Sequence, residues 1–224
     1  MASKFYKTGV VLTNTFSIGA PLQDMQTKVL DDNSVWALIF EHNCQGGTVL
    51  FESVDEARNT QSANKYSRLY LLDNESFKSI SDGKYEFMLC YPDDTSDYNR
   101  WKQTNNPCNE YKGTDDGTLT ADGYEAVSIA WASNYWGGLT RQNESTTLMA
   151  YCYLSGAVGH SDWYYAIGCV LEWFDGIPAC DDLMGVTIGM PSRVQLWVRI
   201  DNTNATDGFK IYDKCIIAKD FIEI

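Results

Sequence analysis

The chain has 224 residues, is 44% hydrophobic and 13% aromatic, and carries a formal net charge of −13. That acidity, with no cluster of Lys or Arg, excludes the concentrated cations that a nucleic-acid backbone or an anionic membrane surface would require. No apolar run approaches the roughly 20 residues needed to span a bilayer, so no membrane insertion is expected.

The start, "MASKFYKTGVVLTNTF", has a broken apolar stretch and no convincing cleavage site, and is read as a mature N-terminus. The polar texture that follows, up to Trp36, suggests an N-terminal extension or attachment segment over residues 1–63. A β-sandwich domain would then occupy residues 64–224. Strand-like runs come early and often: "VWALIF" (35–40), "TVLF" (48–51), "RLYLL" (68–72) and "YEFMLCY" (85–91). "SVDEARNTQSANKY" (53–66) reads as a short helix or ordered loop, with Ser53 and Glu56 at capping-box spacing.

"YNRWKQTNNP" (98–107) is polar and ends at Pro107, which cannot continue a strand ladder, so it reads as a loop leaving a sheet edge. Trp101 would anchor that loop, with Arg100 and Lys102 outward. Further strands are read at "EAVSIAWA" (125–132), "TLMAYCYL" (147–154), "WYYAIGCVLEWF" (163–174), "GVTIGM" (185–190), "RVQLWVRI" (193–200) and "KCIIA" (214–218). The clearest is "RVQLWVRI", which sets Val194, Leu196, Val198 and Ile200 on one face. Turn-forming stretches such as "SDGK", "ADGY" and "NYWGG" separate these runs, and the pattern predicts an all-β sandwich or jelly roll.

The seven cysteines include no CxxC pair. Cys90, Cys152, Cys169 and Cys215 fall in apolar runs and read as reduced, buried thiols; Cys108 and Cys180 are the best placed for a bridge. His42 and His160 are the only histidines, and neither stands at a metal-ligand spacing. Along an extended chain the side chains of His42 and Cys44 should run parallel rather than converge. A glycosidase would need two carboxylates across a bond, for which Glu125 and Glu172 are the best guesses, but no catalytic motif accompanies them. No cofactor is expected; Asp115, Asp116 and Asp122 in "TDDGTLTADG" offer oxygen ligands for Ca²⁺ without the EF-hand order. The sequons at Asn74, Asn143 and Asn204 read as coincidental without a secretory signal.

Aromatic residues beside Gly, Asn and Arg suit core packing, protein interfaces or the stacking of sugar rings. Trp101, Arg100, Tyr135, Trp136 and Trp163 are the candidates for a carbohydrate site.

From about residue 65 to 201 the ordered string "KYSRLYLLD", "DGKYEFMLCYP", "NRWKQTNNP", "GYEAVSIAW", "YWGGL", "WYYAIGC", "GIPA" and "VQLWVRID" resembles a β-rich module. That module recurs in structural and appendage proteins of tailed bacteriophages, notably of gut Bacteroidales, and in surface proteins of their neighbours. "GAPLQDMQTKVLDD" is similar to the Pro-Leu-Asp-x-Arg-x-Val stretch heading many phage fibre and head-decoration modules, with Gln23 and Met25 departing from it. The resemblance implies a non-enzymatic virion protein made in the bacterial cytoplasm. It further implies contacts with other virion proteins, a homo-oligomer such as a trimer, and an outward β-domain able to meet a host-surface glycan. A carbohydrate-binding surface domain and, more remotely, a polysaccharide-acting enzyme are the alternatives.

Overall fold

Each strand with clean alternation in the sequence finds a partner in the computed structural model. The structure describes residues 25–45, 50–93, 95–111, 120–131, 136–142, 145–147, 149, 152–156, 165–170, 177 and 191–200. Among these, eleven strands, one short α-helix and two 3-10 turns form an all-β, sandwich-like fold of antiparallel sheets. The strands are β1 (Thr27–Val29), β2 (Val35–Asn43), β3 (Thr60–Gln61), β4 (Lys65–Ser67), β5 (Tyr85–Cys90), β6 (Tyr98–Gln103), β7 (Glu125–Ile129), β8 (Thr140–Arg141), β9 (Cys152–Ser155), β10 (Ile167–Cys169) and β11 (Arg193–Ile200).

Eight strands make the larger sheet, in the order β3-β4-β2-β11-β5-β6-β7, with β1 beside the first half of β2. β8, β9 and β10 form the smaller sheet. β1, β2 and β3 all belong to this sheet, with β2 central between β4 and β11. A division at residue 63 therefore falls inside one sheet, because β2 is itself the apolar strand "VWALIF" and cannot be left outside a core. The proposed attachment stretch before Met25 lies outside the described residues, as do "GVTIGM" and "KCIIA".

Ser53 caps the helix α1 (Val54–Arg58): its Oγ accepts from Glu56 N at 3.1 Å, while Glu56 Oε2 accepts from Glu52 N at 2.7 Å. The helix stops at Asn59, and residues 60–67 turn into β3 and β4 rather than continuing it. "RLYLL" is a 3-10 turn (Leu69–Asp73), not a strand, and its Leu69, Leu71 and Leu72 are all buried. A four-residue apolar run carries no period of its own, and here the close spacing of three leucines is met by a tight helix.

Both faces of the larger sheet are buried at its centre. The main core takes Ile39, Phe40, Tyr85, Phe87, Leu89, Trp101, Leu196 and Val198, joined by Tyr153, Leu154, Tyr165 and Ile167 of the smaller sheet region. On the opposite face Trp36, Leu38, Met88 and Trp197 form a second cluster. Trp197 lies opposite both Leu38 and Met88 in register, so this cluster crosses three strands in one row. A bulge between Leu196 and Trp197 lets Ile39 and Phe40 share the main-core side of β2.

Candidate functional site

"YNRWKQTNNP" is the most distinctive stretch of the chain, and the structure corrects its reading as a loop. Residues 98–103 are strand β6, paired along its length with β5 and on its other side with β7. Alternation is strict: Asn99, Trp101 and Gln103 face inward, while Tyr98, Arg100 and Lys102 face outward. Hydrophobicity hides this strand because two of its three inward residues are amides.

Those amides are fully engaged. Gln103 Oε1 accepts from Trp101 Nε1 at 2.8 Å and from Leu139 N at 3.2 Å. Its Nε2 donates to Asn105 O at 3.0 Å and to Leu139 O at 3.1 Å. All four hydrogen-bonding positions of a buried amide are thus filled, which a dry interior demands. Asn99 Oδ1 accepts from Ala130 N and Trp131 N, both at 2.9 Å, and its Nδ2 donates to Trp131 O at 3.1 Å. In the turn after β6, Asn106 Oδ1 accepts from Cys108 N at 2.9 Å and its Nδ2 reaches Asp73 Oδ1 at 3.0 Å. Three side chains of one motif tie three separate segments, at residues 73, 130–131 and 139, to β6 and the turn after it.

Trp101 and Trp136 are 0% and 3% exposed, so neither presents a ring to a sugar. Trp101 packs on Phe87 at 5.6 Å and edge-on against Trp136 at 4.9 Å, and Trp136 meets Tyr165 edge-on at 5.1 Å. This aromatic file, begun by Tyr85 on Phe87 at 5.5 Å, runs from the larger sheet to Trp136 and Tyr165, in the segments that lead into β8 and β10. Gly138, from "YWGGL", belongs to the same contact. It has φ +84°, and a Cβ there would stand 2.9 Å from Gln103 Oε1 and 3.1 Å from Trp101 Nε1. Tyr135 and Trp163 lie outside the described residues.

Arg100 is outward but engaged. Its Nε meets Glu86 Oε1 at 2.5 Å, its Nη1 meets Asp32 Oδ2 at 2.9 Å, and its guanidinium lies 5.1 Å over the ring of Trp36. Burial opposes its charge, yet the hydrogen bonds to Asp32 and Glu86 raise its pKa. Asp32 is held well below the usual carboxylate range by the Ser34 hydroxyl and amide first, then by Arg100. Glu86 also binds Arg199 at 2.7 Å, and Lys102 binds Asp82 at 2.7 Å. On the same face Glu41 accepts from Arg193 Nη2 at 2.7 Å and from Gln195 Nε2, and Lys28 sits 4.1 Å over the Trp197 ring. Burial lowers the Lys28 pKa.

The remaining candidates are structural or lie elsewhere. Glu125 stands on β7, the last strand of its sheet among the described residues, about half exposed and paired with Lys84 at 3.1 Å; Glu172 is outside the described residues. Asp122 closes a turn, its Oδ2 accepting from Asn105 Nδ2 at 2.8 Å and its amide donating to Glu110 Oε1 at 2.6 Å. Asp115, Asp116 and His160 fall outside the described residues. Among the described residues no group of three or more His, Cys, Asp or Glu is arranged to hold a metal ion. Cys108 is buried, and desolvation pushes its thiol up to about 12; Cys180 is outside the described residues.

One sequence expectation fails on local geometry. Cys44 Sγ and His42 Nε2 approach to 3.4 Å, where parallel side chains were anticipated. β2 ends at Asn43, so Cys44 lies just past the strand, its amide donating to Ser192 O at 2.6 Å. Phe51 closes the pair off, its ring edge-on to His42 at 5.0 Å.

Fold and site together define an all-β module whose distinctive motif is internal framework. Comparison with protein-family models, with characterised proteins and with solved structures finds no match to this chain.

Proposed function

We propose that this chain is a non-enzymatic structural protein of a phage particle, of fibre, head-decoration or adaptor type, displaying its β-sandwich outward. One observation carries the reading: the stretch most typical of the resembled module is committed to internal bonding on both faces. Asn99, Gln103 and Asn106 latch neighbouring segments, and Arg100 and Lys102 bind acids of the same chain. A motif kept for holding a rigid frame suits a building block better than a receptor cleft. The strong acidity suits a soluble part made in the host cytoplasm that joins other virion proteins, and copies of itself, during assembly.

Mass spectrometry of purified particles tests this. The protein should be present at a fixed stoichiometry with the known shell and tail components and should run as a defined oligomer when isolated. Its absence from intact particles would overturn the reading. Glycan-array binding lost on Tyr135→Ala or Trp163→Ala with an unchanged melting midpoint would favour a carbohydrate-binding role instead. Polysaccharide turnover abolished by Glu125→Gln would favour an enzyme.

A further inference from the structure

β9 and β10 run antiparallel with Cys169 directly opposite Cys152 and Ile167 opposite Leu154. Residues directly opposed across an antiparallel pair project to the same face, so the two thiols stand side by side. The Cys169 carbonyl accepts from Phe51 N at 2.9 Å. Opposed residues of an antiparallel pair set their Cα atoms about 4.5 to 5.5 Å apart, within the roughly 4.4–6.8 Å seen for disulfides. Both residues are thiols here, and both are buried.

We propose that Cys152 and Cys169 are a cross-strand redox pair, interconverting between two thiols and one disulfide by exchange with a small-molecule disulfide. One thiolate of the pair attacks a sulfur of the small disulfide, forming a mixed disulfide and expelling a small thiolate. The second thiolate attacks the protein sulfur of that mixed disulfide, closing the Cys152–Cys169 bond and expelling the other small thiolate. The two protons released by the protein thiols end on the two small thiols; the protein loses two electrons and the small disulfide gains them.

Access sets the rate. Burial first, then the neighbouring Cys44, keeps the Cys169 thiol protonated well above the ordinary cysteine range. Exchange therefore proceeds through opening of the smaller sheet, whose strands of two, four and three residues give it little to hold against fluctuation. Cys44 is the rival partner for Cys169. It contacts His42, whose ring packs against the same Phe51 that binds the Cys169 carbonyl.

The test incubates the full chain with oxidised glutathione a few degrees below its unfolding temperature, then alkylates the remaining thiols in denaturant. Cleavage at acidic residues separates the cysteines, since Asp162 lies between Cys152 and Cys169, and Glu172 and Asp175 lie between Cys169 and Cys180. The expected result is one linked fragment pair joining Cys152 to Cys169, two fewer alkylated thiols, and a rise in melting midpoint that dithiothreitol reverses. Cys44→Ser should keep the link and Cys152→Ser should lose it. If Cys152→Ser does not fold, fragment assignment in the unaltered chain decides alone. A Cys44–Cys169 link, a link confined to other cysteines, or all seven thiols still alkylated would overturn the proposal.

Discussion

Replacing Gln103 with methionine tests whether the inward amides of β6 hold the two sheets together. Methionine nearly matches glutamine in length and volume, so the change leaves no sizeable cavity and isolates the polar contribution. It strips partners from Trp101 Nε1 and from both the N–H and the C=O of Leu139, all in the buried core, and from the carbonyl of Asn105. Each orphaned buried group costs about 1–3 kcal/mol, so three give about 3–9 kcal/mol before relaxation. Partial repacking and water entry should bring the observed loss to about 4 kcal/mol, a large share of the roughly 5–15 kcal/mol typical of a domain. Urea unfolding followed by tryptophan fluorescence measures it, with an unchanged m-value as the sign that only stability moved. A loss under about 1 kcal/mol at constant m would refute the latch argument. Gly138→Ala supplies the cross-check, since its new Cβ would press on the same Gln103 oxygen at a φ of +84°. Alone it should cost about 2–4 kcal/mol from left-handed backbone and overpacking. Combined with Gln103→Met the losses should fall short of their sum by about 1 kcal/mol or more, because both act on one contact.

Asn99→Leu should orphan the amides of Ala130 and Trp131, cost about 2–4 kcal/mol, and speed hydrogen exchange selectively over residues 125–131; uniform exchange across the larger sheet would contradict it. Glu86→Gln weakens the holds on Arg100 and Arg199. The Arg199 arm is solvent-screened, so the loss should be about 2 kcal/mol, borne by the Arg100 arm and little changed by added salt. A loss that salt erases would place the pair at the surface in effect. Acid should act through Asp32, held low by Ser34 and Arg100. Glu56 contributes too: burial would raise it, but the hydrogen bonds from Lys65 and the Glu52 amide together with the Lys65 charge outweigh that and hold it low. Both carboxylates have folded pKa values below their unfolded ones, so their stabilisation is complete above about pH 4.5 and is lost as pH falls through the folded values. The melting midpoint should hold between about pH 7 and pH 5 and drop below about pH 4, less steeply in Asp32→Asn; an unmoved midpoint at about pH 3 would refute the assignment.

How much of this was legible depended on whether a residue's chemistry followed its position. "RVQLWVRI" and "YEFMLCY" announced their strands because apolar side chains alternated, and they became β11 and β5. β6 alternates just as regularly, but its buried side is Asn, Trp and Gln, which a hydrophobic pattern scores as loop. Burial of the second sheet face was illegible for a related reason. Trp197 shares its strand face with Gln195 and Arg199, and only the register that sets it beside Leu38 and Met88 makes it core. The carbohydrate candidates are aromatic rings near polar groups in the sequence. Trp101 meets that description with its N–H on Gln103, an internal partner that sequence distance does not distinguish from a ligand. The meeting of His42 with Cys44 depended on where β2 stops, and strand ends are what periodicity resolves worst.

Among the described residues β7 is the last strand on one side of the larger sheet, and four of its five residues are exposed. Arg100 faces Ser128 and Trp101 faces Ala126, so Val127 is an extra residue that kinks the strand just where its outer hydrogen-bonding groups would otherwise line up. A second strand arriving at this border would have to flatten the kink and then pass Glu125, already held by Lys84. The border thus works as a stop: it lets a crowded population of these molecules stay separate sheets, and leaves any assembly to surfaces that do not extend the ladder.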